Sequence, residues 1–135
     1  MNILKELVRK LDVSKDKTSA ERVLYNRDLA KIGDAILNYV NTLVVSAGYV
    51  PKSNKVTNKM LREVVNRSGL RKNIRKRQTA RALGNIAEAI VAYLVLNEVL
   101  TEEQMVELIV EKGSFEEALI YIFRNLFVEI GTQKT

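Results

Sequence analysis

Asn85-Ile86-Ala87-Glu88-Ala89-Ile90-Val91-Ala92-Tyr93-Leu94 is the stretch whose reading decides the fold. From Ala87 to Leu96 only Glu88 is polar, and so continuous an apolar run exceeds what a one-sided surface helix needs. An apolar run can also be a buried strand. Here the segment extends from Thr79 to about Val99 and is rich in alanine, which favours a helix at the centre of a bundle. Glu88 is the only charge between Arg81 and Glu98. Burying a carboxylate is costly unless it is paired or holds a metal, so its partner is the first question the stretch raises.

The nearest counterpart upstream is Ala30-Lys31-Ile32-Gly33-Asp34-Ala35-Ile36-Leu37. At helical spacing Asp34 shares its stripe with Arg27, Ala30, Lys31, Leu37, Asn38 and Asn41. Gly33 is the only glycine between Thr18 and Ser46. A glycine inside a helix costs about 1 kcal/mol relative to alanine, so Gly33 is expected to serve a close approach.

The remaining segments also read as helices. Met1–Leu11 is amphipathic, with Ile3, Leu4, Leu7, Val8 and Leu11 on one side. A capping box at Thr18-Ser19-Ala20-Glu21 opens a helix expected to run unbroken to about Ser46, and Pro51 to Lys55 forms a turn. Thr57 caps a helix to Ser68 that turns Met60, Leu61, Val64 and Val65 inward. Thr101-Glu102-Glu103-Gln104 is a second capping box, and Ser114 caps a last helix to about Glu129. In that last helix Tyr121, Phe127 and Ile130 leave more than one face apolar, which fits either a partner surface or core filling. No strand-turn-strand alternation occurs. The expected fold is all-α, a single-domain bundle of about six helices over residues 1–135.

Composition narrows the chemistry. The chain has neither cysteine nor histidine, which excludes disulfides, zinc sites built on thiolate or imidazole, and histidine general-base catalysis. A metal enzyme with this sequence must use carboxylates and amides, which suit Mg²⁺ or Mn²⁺. No apolar run is long enough to span a membrane and no signal-peptide core is visible, so a soluble, cytoplasmic protein without a membrane partner is expected.

The net charge of +6 is unevenly distributed. Residues 52 to 81 carry eleven Lys or Arg and the single acid Glu63, whereas residues 82 to 135 carry nine acids and three bases. Such a cationic middle either binds a polyanion or is simply a solvated face. Lys59, Arg62, Arg71, Arg75, Lys76 and Arg77 are the candidate phosphate contacts to a polyanion such as RNA or DNA, and without interleaved aromatics they suit the backbone rather than stacked bases.

Asp34 and Glu88 are the candidate catalytic pair, with Asn85, one turn before Glu88, as a third metal ligand or a water holder. Each acid could equally pair with a basic neighbour such as Lys31 or Arg81. If the two central helices bring the acids to one metal, the parts describe metal-assisted phosphodiester hydrolysis.

The residues from Glu21-Arg22-Val23-Leu24 onward, above all Leu29 to Leu37, resemble the signature helix of the ribonuclease III catalytic domain, in which a glutamate-rich turn precedes phenylalanine-leucine-glycine-aspartate-alanine. Asn85 to Leu94 is similar to the family's second acidic helix, usually aspartate, two residues, glutamate-alanine, then a hydrophobic run ending in tyrosine-leucine. Asn54 to Arg71 resembles its basic helix, and the likeness covers residues 20 to 100 in order. By position Asp34 and Glu88 match two of the family's acids, while Ala30 and Asn85 stand where it has a glutamate and an aspartate. The resemblance is to a compact member of the Mini-III or archaeal type, without the extra double-stranded-RNA-binding domain. It implies an all-helical homodimer that cuts double-stranded RNA with Mg²⁺ (or Mn²⁺). With two acids replaced, the alternative is an RNA-binding protein that keeps the fold and cuts weakly or not at all. The apolar helix around Glu88, together with Gly33, would be where two subunits approach closely.

Overall fold

The computed structural model describes residues 3–15, 20–49 and 56–127. The capping box at Thr18, the turn from Pro51 to Lys55 and the end of the last helix at Glu129 and Ile130 lie wholly or partly outside them. Seven α-helices and no strand occur among the described residues: α1 (Ile3–Leu11), α2 (Ala20–Leu24), α3 (Arg27–Ser46), α4 (Asn58–Arg67), α5 (Ala80–Leu96), α6 (Glu102–Lys112) and α7 (Phe115–Ile122). A 3₁₀ turn at Leu70–Asn73 follows α4, and a π-helical turn at Phe123–Phe127 continues α7. The chain is all-α, as the sequence indicates.

Helix α5 is the axis. Twelve of its seventeen residues are buried, with α3, α4 and α2 packed around it. Its all-round apolar sequence is thereby explained, since such a helix is stable only when neighbours cover every side. Tyr93 and Phe127 meet edge to face with ring centroids 5.9 Å apart, which ties the π-helical turn to α5. Arg67 at the end of α4 pairs with Glu117 at 2.8 Å and Glu116 at 3.8 Å on α7, and its carbonyl accepts from Arg124 at 2.7 Å.

Two expectations need correcting. The helix foreseen from Thr18 to Ser46 is two helices, because Asn26 adopts an extended backbone and its side chain accepts from Leu29 N at 3.0 Å, starting α3 afresh. Gly33 and α5 also do not offer a second subunit a surface, since Gly33 packs against α5 of its own chain and α5 is enclosed. No helix of the described residues is long and apolar enough to cross a membrane.

Candidate active site

Gly33 sets the distance between the two central helices. A Cβ there would overlap the main-chain carbonyl of Glu88 and lie 2.9 Å from its Cα, so α3 and α5 touch backbone to backbone at this level. The next residue along α3 is Asp34, and the residue touched on α5 is Glu88. Because the helices meet here, the two carboxyl groups come within hydrogen-bonding reach.

Their environments differ. Asp34 is exposed and its Oδ1 accepts from Asn38 Nδ2, one turn later, at 3.3 Å. Glu88 is 8% exposed. Burial first, then the hydrogen bond and charge of Asp34, push the Glu88 carboxyl up to about 8. Two acids this close resist ionising together, and Glu88, the more enclosed, keeps the proton.

Both carboxyls line a cavity of about 730 Å³, bordered also by Arg27, Ala30, Lys31, Asn58, Thr79, Arg81, Ala82 and Asn85. Arg27 is the first residue of α3, Asn58 the first of α4, and Thr79 the N-cap of α5, accepting from Ala82 N at 3.1 Å. Three helices therefore begin at one cavity. Each helix start carries a partial positive charge of roughly half a unit, shared with its capping side chain, which favours anions such as phosphate nearby. Lys31 and two guanidiniums, from Arg27 and Arg81, reinforce that field. Asn58 also closes on α5, since a Cβ on Gly84 would lie 3.2 Å from its Cγ.

Asp34, Asn85 and Glu88 thus share one cavity, and the six candidate RNA contacts do not border it. Lys59 is exposed on α4 beside Asn58, and Arg62 is half-buried on the same helix. Arg71 lies in the 3₁₀ turn, while Arg75, Lys76 and Arg77 lie in the irregular stretch before Gln78. Arg75 is held locally: Nη2 donates to Glu21 Oε1 at 2.6 Å, its main-chain N–H donates to Tyr25 Oη at 2.9 Å, and its guanidinium stacks over the Tyr25 ring at 4.1 Å.

Sequence reasoning did not single out Arg27, Lys31, Arg81, Asn58 and Thr79 as site residues. A signal was present: Arg27 precedes Asp34 by seven positions and Arg81 precedes Glu88 by the same interval, two turns along the same helix face. Asn58 carried no such signal.

Among the described residues no group of three or more acids forms a metal cage. The donor set is two adjacent carboxyls with the nearby amide of Asn85, all oxygen ligands, and a divalent cation would relieve their repulsion. Mg²⁺ is commonly held by one or two carboxylates and completes its shell with water and phosphate, so the residues fit it.

The family model described as Ribonuclease III matches residues 27–126, from the first residue of α3 into the π-helical turn after α7. No curated protein and no solved structure gave a match. Spanning as it does the two acid-bearing helices and most of the chain, the match shows that this protein belongs to the ribonuclease III family.

Proposed function

We propose that the protein is a metal-dependent endoribonuclease acting on structured or double-stranded RNA. The observation that carries this reading is the meeting of Asp34 and Glu88 in a cavity where three helices begin. Asp34 and Glu88 would hold Mg²⁺ or Mn²⁺, with Asn85 as an amide ligand or through water. When bound, the cation supplies an activated water and charge stabilisation for the phosphoryl oxygens.

The chain's own residues do the rest. Arg27, Lys31, Arg81 and the first-turn amides hold the phosphodiester backbone against the carboxyl pair, and Asn38 restrains the Asp34 carboxylate. With no base-reading side chains required at the phosphate, duplex RNA is selected by A-form shape and its 2′-hydroxyls. The candidates outside the cavity, Lys59, Arg62, Arg71, Arg75, Lys76 and Arg77, extend phosphate contact along the duplex. A homodimer would place two such sites on one duplex; Tyr39 (56% exposed) and Tyr49 (51%) are large apolar groups that the chain leaves uncovered.

The test is cleavage of a long RNA duplex with Mg²⁺. Activity should disappear in Asp34→Asn and Glu88→Gln while helical circular dichroism is retained. A second reading has its own support: Ala30 lines the cavity where the resembled motif carries an acid, leaving two carboxylates among the described residues that line it. Salt-sensitive binding of the duplex without any cut would establish that reading, a family member that binds RNA and does not hydrolyse it.

A further inference from the structure

Beside the carboxylate cavity lies a second, smaller one of about 230 Å³ that shares Arg27 and Asn85 with it. Its chemistry differs. Leu24 and Ile86, both buried, supply an apolar floor, and Tyr25 supplies an aromatic wall. The side-chain amides of Gln78, half-buried, and Asn85, exposed, border it.

The walls are fixed rather than loose. Arg75 holds Tyr25 through the hydrogen bond to its hydroxyl and the stack on its ring. Asn26, also on the border, is committed as the N-cap of α3. Gln78 follows Arg77, which sits at φ 62°, a left-handed conformation that residues with a side chain seldom adopt. Such a conformation persists when the surroundings over-determine it, and it is common beside functional sites.

The geometry points to this side cavity as a subsite for one unpaired nucleobase of the RNA whose backbone lies in the adjoining cavity. This rests on the RNA reading above and adds to it a preference for a bulged or looped nucleotide beside the bound phosphate. Its volume is below the about 300–1,000 Å³ of pockets for drug-sized ligands, which matches a fragment as small as a base. An apolar floor, an aromatic wall and side-chain amides are what a splayed-out base needs for burial and edge hydrogen bonds. Phosphate alone would gain nothing from Leu24 and Ile86.

The test compares a fully paired RNA duplex with the same duplex carrying one extra unpaired nucleotide, titrated in chelator at low salt so that binding is read without cleavage. Wild-type protein should bind the bulged duplex about tenfold more tightly, the worth of one stacked base. Gln78→Ala and Gln78→Leu should each lower that preference by about threefold, the worth of one lost edge hydrogen bond, and bind the paired duplex as wild type does, with unchanged circular dichroism. A 2-aminopurine at the bulge should change its fluorescence on binding wild type and much less on binding either variant. Equal affinity of wild type for the two duplexes, or full preference in both variants, overturns the subsite and leaves the RNA reading standing. Binding of neither duplex overturns the RNA reading and the subsite with it.

Discussion

Gly33 and Glu88 are in main-chain contact across α3 and α5, with no room between them for a single methyl group. Gly33→Ala must therefore push the two central helices apart. Alanine returns about 1 kcal/mol of helix propensity, but overpacking against an unyielding backbone costs typically 1–3 kcal/mol and sometimes more. A net loss of about 2 kcal/mol or more is expected in denaturant unfolding. Gly84→Ala meets the Asn58 side chain, which can rotate away, and should stay within about 1 kcal/mol of wild type.

Without divalent cations, stability should fall as pH rises. The Glu88 carboxyl is raised from 4.5 to about 8 in the folded chain, so the native state holds this proton more tightly than the unfolded state does. The stabilisation is full below about pH 4.5 and disappears as pH passes through about 8. Thermal unfolding in chelator should show Tm decreasing across that window. Glu88→Gln should flatten the contribution, and a wild-type slope no steeper than the variant's would contradict the raised carboxyl.

Mg²⁺ should reverse that loss. A cation that binds only the folded state adds about 2.7 kcal/mol at a hundred times its Kd. At pH 8 wild-type Tm should climb with Mg²⁺ concentration, whereas Asp34→Asn and Glu88→Gln should respond weakly. Equal shifts in all three proteins would place the cation elsewhere.

Arg27→Ala and Arg81→Ala should weaken binding of RNA duplexes of any sequence, since phosphate contacts carry no sequence information. Each should also lower the slope of log K against log salt by about 1. Arg75→Ala is expected to act differently. It removes the guanidinium stacked on Tyr25 and paired with Glu21, and should loosen α2 as well as reduce RNA affinity.

Much of this architecture is legible in the sequence because its signals are local. Thr57, Thr79, Thr101 and Ser114 each accept a first-turn amide, at the positions the capping residues mark, and Thr101 with Gln104 completes the expected capping box. The break at Asn26 escapes because no glycine or proline announces it, and the asparagine, a residue that favours caps over helix interiors, is the one local signal. The carboxyl pair is a different problem. Which face of α3 meets which face of α5 depends on a register set by tertiary packing, the Gly33 contact included. The cations around the cavity are hidden for a related reason: charge density along the chain is highest at residues 71–77, whereas Arg27 and Lys31 on α3 meet Arg81 on α5 only through packing.

The convergence of three helix starts on the cavity has a consequence of its own. Its pull on anions comes partly from peptide amides, which have no side chain to substitute and no proton to lose in the working pH range. On the proposed reading, loss of Asp34 or Glu88 would therefore extinguish the reaction and leave the docking of phosphate in place. Chemistry here is written in side chains and attachment partly in the fold, so descendants that lose the first inherit much of the second.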